Sequence, residues 1–119
     1  MPLLRLETTV ALSEDKRQAL LASLSKTVAE TSGKPQQYVM VTASQAAIQM
    51  SGSPGDAAFV DVRSIGGLTG EVNRKLLKKV CELLHDSLGI PPDRIYLNFT
   101  DVQASHWGWN GNTDRKSVV

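Results

Sequence analysis

The sequence predicts a two-layer α+β domain, in which a duplicated β-α-β unit builds a four-stranded mixed sheet with two antiparallel helices on one face. Three observations predict it. Shifting the 119-residue chain by 56 positions lays the apolar pattern of one half over that of the other. Each half carries one segment of helical period between two segments of alternating period. Each helical segment stops at a glycine with a proline two places further on, Gly33 with Pro35 and Gly89 with Pro91.

The elements follow in order. Leu4 and Leu6 alternate with polar neighbours as a first strand, and their counterparts Val60 and Val62 do the same in the second half. Ser13 is a good N-cap with Glu14 and Asp15 in the favourable first turn, and the equivalent position is Thr69. Leu20, Leu21, Leu24 and Val28 form the stripe of the first helix, matched by Leu76, Leu77, Val80 and Leu84 in the second. Val39 and Val41 coincide with Ile95 and Leu97 as closing strands. The repeats cover about 2–44 and 57–101 of one domain spanning 1–119, and the segment from Ser44 to Asp56, with Gly52, Pro54 and Gly55, links them. A helical crossover makes the strands within each repeat parallel. The sheet face away from the helices is then uncovered, and self-association is the expected remedy.

Composition narrows the function. A net charge of +1, with no basic run longer than Lys78-Lys79, argues against nucleic acid and anionic membranes as partners. No segment has the apolar length that a bilayer requires, and Arg5 and Glu7 interrupt the N-terminal stretch where a signal peptide would be apolar, so the cytoplasm is the expected compartment. The single Cys81 lies in the helical pattern beside Val80 and Leu84 and is expected to be a buried, reduced thiol. His85 and His106 do not have the spacing of a metal pair, and one cysteine does not complete a zinc site, so no metal is expected. Gly66, Gly67 and Gly70 lack the lysine and the glycine spacing of a nucleotide cradle.

Chemistry is expected where the two halves differ. Pro2 follows Met1 directly, and loss of an initiator methionine would expose a secondary amine, the one form in which proline can act as a base. Pro2 is matched by Ala58, Lys34 by Ile90, Met40 by Tyr96 and Thr42 by Asn98. One half thus offers a base and a cation, the other an aromatic hydroxyl and an amide. Strand alternation puts Tyr96, Asn98 and Thr100 on the face opposite Ile95, Leu97 and Phe99, where they are either solvated or covered by another subunit. Trp107-Gly108-Trp109 is a short apolar anchor suited to covering a pocket or a partner subunit.

Met1-Pro2, Ser32-Gly33-Lys34-Pro35 with Tyr38, Ser64-Ile65-Gly66, Pro92-Asp93-Arg94-Ile95-Tyr96-Leu97-Asn98 and Gly108-Trp109-Asn110 together resemble the macrophage migration inhibitory factor family, in one order and to about Thr113. The resemblance implies the tautomerase superfamily fold, a homotrimer with sheets around a central channel and active sites between subunits. It implies Pro2 as catalytic base, Lys34 and Ile65 beside it, Tyr38 and Trp109 lining the pocket, and Tyr96 and Asn98 supplied by the neighbouring subunit. The implied substrates are aromatic α-keto acids such as phenylpyruvate, together with dopachrome-like compounds.

Such keto-enol tautomerisation needs no metal or organic cofactor, because one amine of lowered pKa can move the proton. The alternative that the resemblance carries is a cytokine-like interaction protein with a vestigial pocket, exported without a signal peptide. The sequence itself offers no support for receptor binding. Where vertebrate members have Cys-x-x-Cys the chain reads Ala57-Ala58-Phe59-Val60, so thiol oxidoreductase activity is not expected. Leu3 replaces a pocket methionine, the family's C-terminal aromatic is replaced around Asp114, and 115–119 are additional.

Overall fold

A computed structural model describes residues 1–113. Asp114 and the tail 115–119, where the chain departs from the family pattern, lie outside the described residues. The chain runs β1 (Leu3–Thr8), α1 (Glu14–Ser32), β2 (Met40–Gln45), β3 (Ala58–Ser64), α2 (Gly70–Leu88) and β4 (Ile95–Asp101), with single 3-10 turns at Gln36–Tyr38, Pro92–Arg94 and Ala104–His106. The sheet order is β2-β1-β3-β4. β1 is parallel to β2, β3 is parallel to β4, and the central pair β1 and β3 is antiparallel.

The duplication is visible in the central register. Leu4 lies opposite Val62 and Leu6 opposite Val60, so the repeat equivalents exchange places across the pair. At the midpoint Arg5 lies opposite Asp61, its own equivalent. An approximate two-fold axis therefore passes through that pair, which is joined by an ion pair of 3.5 Å.

Both helices start and stop where their end residues dictate. Ser13 accepts from the Lys16 N–H and Thr69 from the Val72 N–H, which satisfies donors that the first turn leaves open. Gly33 and Gly89 take φ of 75° and 72°, a left-handed cap that glycine adopts without a Cβ penalty. The helices pack together on one sheet face. Leu20, Leu24 and Val28 from α1 and Leu76, Val80 and Leu84 from α2 meet Leu4, Leu6, Val60 and Val62 in a buried core. The stripe is narrower than the sequence suggests: Leu77 is 40% exposed, because the residue next to each core position turns onto the flank of its helix. No helix among the described residues is long and apolar enough to cross a membrane.

Arg94 closes the link between the repeats. Its guanidinium donates to the carbonyls of Asp56 (2.9 Å), Met50 (3.1 Å), Ser53 (3.3 Å) and Gly55 (3.4 Å), gathering a glycine- and proline-containing segment around one side chain. The planar fork fits these diverging acceptors, and a lysine ammonium does not. Arg94→Lys is expected to cost about 1–2 kcal/mol by urea unfolding. A loss below roughly 0.5 kcal/mol would mean that the clasp contributes no more than an ordinary surface contact.

The other sheet face carries no helix. There Asp61, almost fully buried, accepts from Arg63 Nε at 3.1 Å and from Asn98 Nδ2 at 3.0 Å, and Asn98 also donates to Thr100 Oγ1 at 2.7 Å. Met40 and Tyr96 project from the same face and are well exposed.

Candidate active site

The start of β1 is tied down from both sides. The Met40 N–H donates to the Pro2 carbonyl at 3.0 Å, extending the β1–β2 ladder to the residue ahead of the strand, and the Pro2 side chain is fully buried. Around it lies a cleft of about 220 Å³ lined by Met1, Tyr38, Met40, Trp107 and Trp109 among others. Tyr38 comes from the 3-10 turn after α1, where Pro35 bars further α-helix. Trp109 comes from a tight turn in which Trp109 and Asn112 exchange backbone hydrogen bonds of 2.8 and 3.0 Å. The two rings meet edge to face, with centroids 5.7 Å apart at 83°. That arrangement suits the quadrupoles and gives the cleft a stiff aromatic wall.

Lys34 acts on the cleft by its charge rather than by lining it. It follows the Gly33 cap of α1, and its Nζ crosses to donate to the Ile65 carbonyl at 3.3 Å, just past the end of β3. Ile65 is buried.

With Met1 in place, the Pro2 nitrogen belongs to a peptide bond and the amine of the cleft is that of Met1, which is itself buried. Its pKa is lowered from 8.0 to about 6, first by burial and second by the charge of Lys34. Acylation of this amine should therefore be half-maximal near pH 6 rather than near pH 8. Lys34→Ala should raise that midpoint only in part, since burial is the larger cause. A midpoint that stays near 8 in the intact protein would show the amine to be solvated.

Tyr96 and Asn98 are not brought to this cleft within one chain. Tyr96 pairs with Phe59, which lies opposite Glu7 at the far end of β1 from Pro2. Two strands across and five residues along, the separation is roughly 10 Å by 15 Å. The two-fold axis explains it: Tyr96 is the repeat equivalent of Met40, so it occupies the matching position at the opposite end of the sheet. Trp107 lines the cleft together with Trp109, as the Trp107-Gly108-Trp109 anchor suggests, whereas Met40 and Met1 itself line it although the sequence gives them no role there. Only the period-two pattern of Val39 and Val41 pointed to where Met40 would project.

A depression of about 710 Å³ between the end of β1 and the inter-repeat segment has Asp56 as its one titratable lining residue. Cys81 is half-buried, and burial pushes its thiol up, away from the thiolate that a nucleophile needs. His85 and His106 are exposed. Among the described residues no group of three or more His, Cys, Asp or Glu side chains is placed to hold a metal ion.

The two layers, the duplicated topology and a buried proline opening the first strand define a protein of the tautomerase superfamily fold. Solved structures agree: the macrophage migration inhibitory factor homologue of Prochlorococcus marinus has a TM-score of 0.87 at 39% identity, covering 92% of this chain and 96% of its own. The macrophage migration inhibitory factor of Toxoplasma gondii has a TM-score of 0.89 at 35% identity, covering 92% and 97%. The family model described as macrophage migration inhibitory factor matches residues 1–114. The Meriones unguiculatus macrophage migration inhibitory factor is 40% identical over 114 residues, 95% of this chain and 98% of that protein. The chain belongs to the macrophage migration inhibitory factor family.

Proposed function

We propose that the protein is a cofactor-free keto-enol tautomerase for aromatic α-keto acids such as phenylpyruvate, with dopachrome-like compounds as further substrates, and that Pro2, freed by removal of Met1, is its acid-base group. The observation that carries this reading is a buried Pro2 in one aromatic-walled cleft with an amine whose pKa is lowered by burial and, second, by the charge of Lys34. A site that already disfavours an ammonium on Met1 will disfavour one on the Pro2 nitrogen for the same two causes. The free secondary amine is then neutral and basic near the working pH.

In the proposed reaction the Pro2 nitrogen removes the enol hydroxyl proton. The enol π electrons take a proton from the resulting pyrrolidinium at the adjacent carbon, leaving the ketone and the neutral amine. Lys34 binds the carboxylate, the Ile65 backbone orients it, and Tyr38 and Trp109 border the ring. Tyr96 and Asn98 complete the site from a neighbouring subunit of a homotrimer, whose assembly covers the sheet face that the helices leave open. That assembly is supported by the failure of a single chain to bring β4 to Pro2.

The test is a phenylpyruvate ketonisation assay on protein whose N-terminus has been verified by mass spectrometry. The processed chain should be active, and Lys34→Ala should raise KM for phenylpyruvate about tenfold or more while leaving its methyl ester unaffected. Absence of turnover in fully processed, trimeric protein would overturn the enzyme reading.

A further inference from the structure

We propose that Gly67 is a specificity-determining position, whose missing side chain makes the seat on which the end of Lys34 rests and from which its ammonium meets a small carboxylate. The inference deepens the reading above, since it takes Lys34 as the carboxylate group's partner. Lys34 reaches over the turn that follows β3, and there it touches more than the Ile65 carbonyl. A Cβ built on Gly67 would stand 3.0 Å from Lys34 Cε and 3.8 Å from Nζ, and it would meet no other heavy atom within 4 Å. The space that a side chain at 67 would need is therefore already filled by one residue, the lysine.

Gly66 supplies an internal comparison. Its φ is 70°, close to the 81° of Gly67, so a side chain at either position bears a similar backbone strain. A Cβ on Gly66, however, would meet nothing within 4 Å. Two adjacent glycines thus share one conformational reason for being glycine, and only the second has a steric one.

The contact at 67 falls on the flexible end of a long side chain, so the turn need not yield. The end of Lys34 would give by a few tenths of an ångström instead, which is enough to weaken the 3.3 Å bond from its Nζ to the Ile65 carbonyl. In the present arrangement that bond uses one of three ammonium donors and leaves the others for an anion. A side chain at 67 would therefore shift the charge without touching Pro2, and affinity for carboxylates would change while the base remained in place.

The experiment compares Gly67→Ala with Gly66→Ala in processed protein, using phenylpyruvate and its methyl ester. Gly67→Ala should raise KM for the acid about three- to tenfold, with kcat changed less and the ester unaffected. Gly66→Ala should leave both substrates near their original values. A second arm needs no substrate: in protein that keeps Met1, Gly67→Ala should move the midpoint of amine acylation upward as Lys34 withdraws, and Gly66→Ala should not. The third is a double-mutant cycle by urea unfolding, in which any excess destabilisation of Gly67→Ala over Gly66→Ala disappears in a Lys34→Ala background. The cycle remains informative if Gly67→Ala is only marginally folded. Equal behaviour of the two glycine variants, or no coupling between positions 67 and 34, would overturn the seat. Should Lys34→Ala fail to distinguish acid from ester, the carboxylate reading falls and takes the specificity role with it, whereas the cycle still reports whether the two residues touch.

Discussion

Pro2→Gly, in a chain freed of Met1, is expected to lower phenylpyruvate ketonisation about a hundred- to ten-thousandfold, the range that one positioned acid-base group contributes. Glycine keeps an amine but loses the ring that packs into the cleft floor, so the nitrogen is no longer held in one place. The strand itself should survive, because the Met40 N–H bonds the carbonyl of residue 2, which glycine also has. Circular dichroism and the native mass in solution should therefore be unchanged. N-acetylation of Pro2 separates basicity from positioning, as it retains the ring and removes the lone pair, and it should abolish activity as fully. A rate within a few-fold of the parent for either protein would remove Pro2 from the reaction.

The largest effect on stability is expected from Leu24→Ala, at about 2–5 kcal/mol by urea unfolding. Leu24 is completely buried in the layer between α1 and the sheet, and alanine would leave a cavity that both helices and the central strands would have to close. Its repeat equivalent Val80 is equally buried but smaller, so Val80→Ala should cost less, nearer 1–3 kcal/mol. If the two losses were equal, packing around the two helices would differ in a way that the shared stripe does not convey. A Leu24→Ala loss under about 1 kcal/mol would require the core to collapse around the site with unusual ease.

What could be read in the chain beforehand was whatever neighbouring residues decide among themselves. Ser13, Thr69, Gly33 and Gly89 end their helices through bonds and φ angles set within one turn, and each is found where the sequence places it. The alternation of Tyr96 and Asn98 with Ile95 and Leu97 assigns their faces correctly for the same reason. Contacts made across the chain were not legible. Nothing local marks Arg94 as the clasp of a segment some forty residues earlier, Asp61 as the acceptor shared by Arg63 and Asn98, or Gly67 as the neighbour of Lys34. The candidate site divides along the same line. Pro2, Tyr38 and Trp109 do meet, and the charge of Lys34 reaches the amine there, but the register puts Tyr96 at the far end of the sheet from Pro2 and Asn98 level with the Arg5–Asp61 midpoint, two strands away. The exposure of Leu77 shows the remaining weakness, since a stripe read from spacing alone does not reveal where a helix turns its shoulder to water.

The Arg5–Asp61 pair constrains what a half-length version of this chain could do. Two identical copies of either repeat, joined edge to edge as the halves are here, would bring arginine against arginine or aspartate against aspartate at the centre of the sheet, where like charges repel. Opposite charges at a self-facing position are possible only once the two halves have different sequences. The electrostatics at the midpoint thus favour an Arg5-bearing half joining an Asp61-bearing half over either joining its own kind, and they give the sheet one correct way to close.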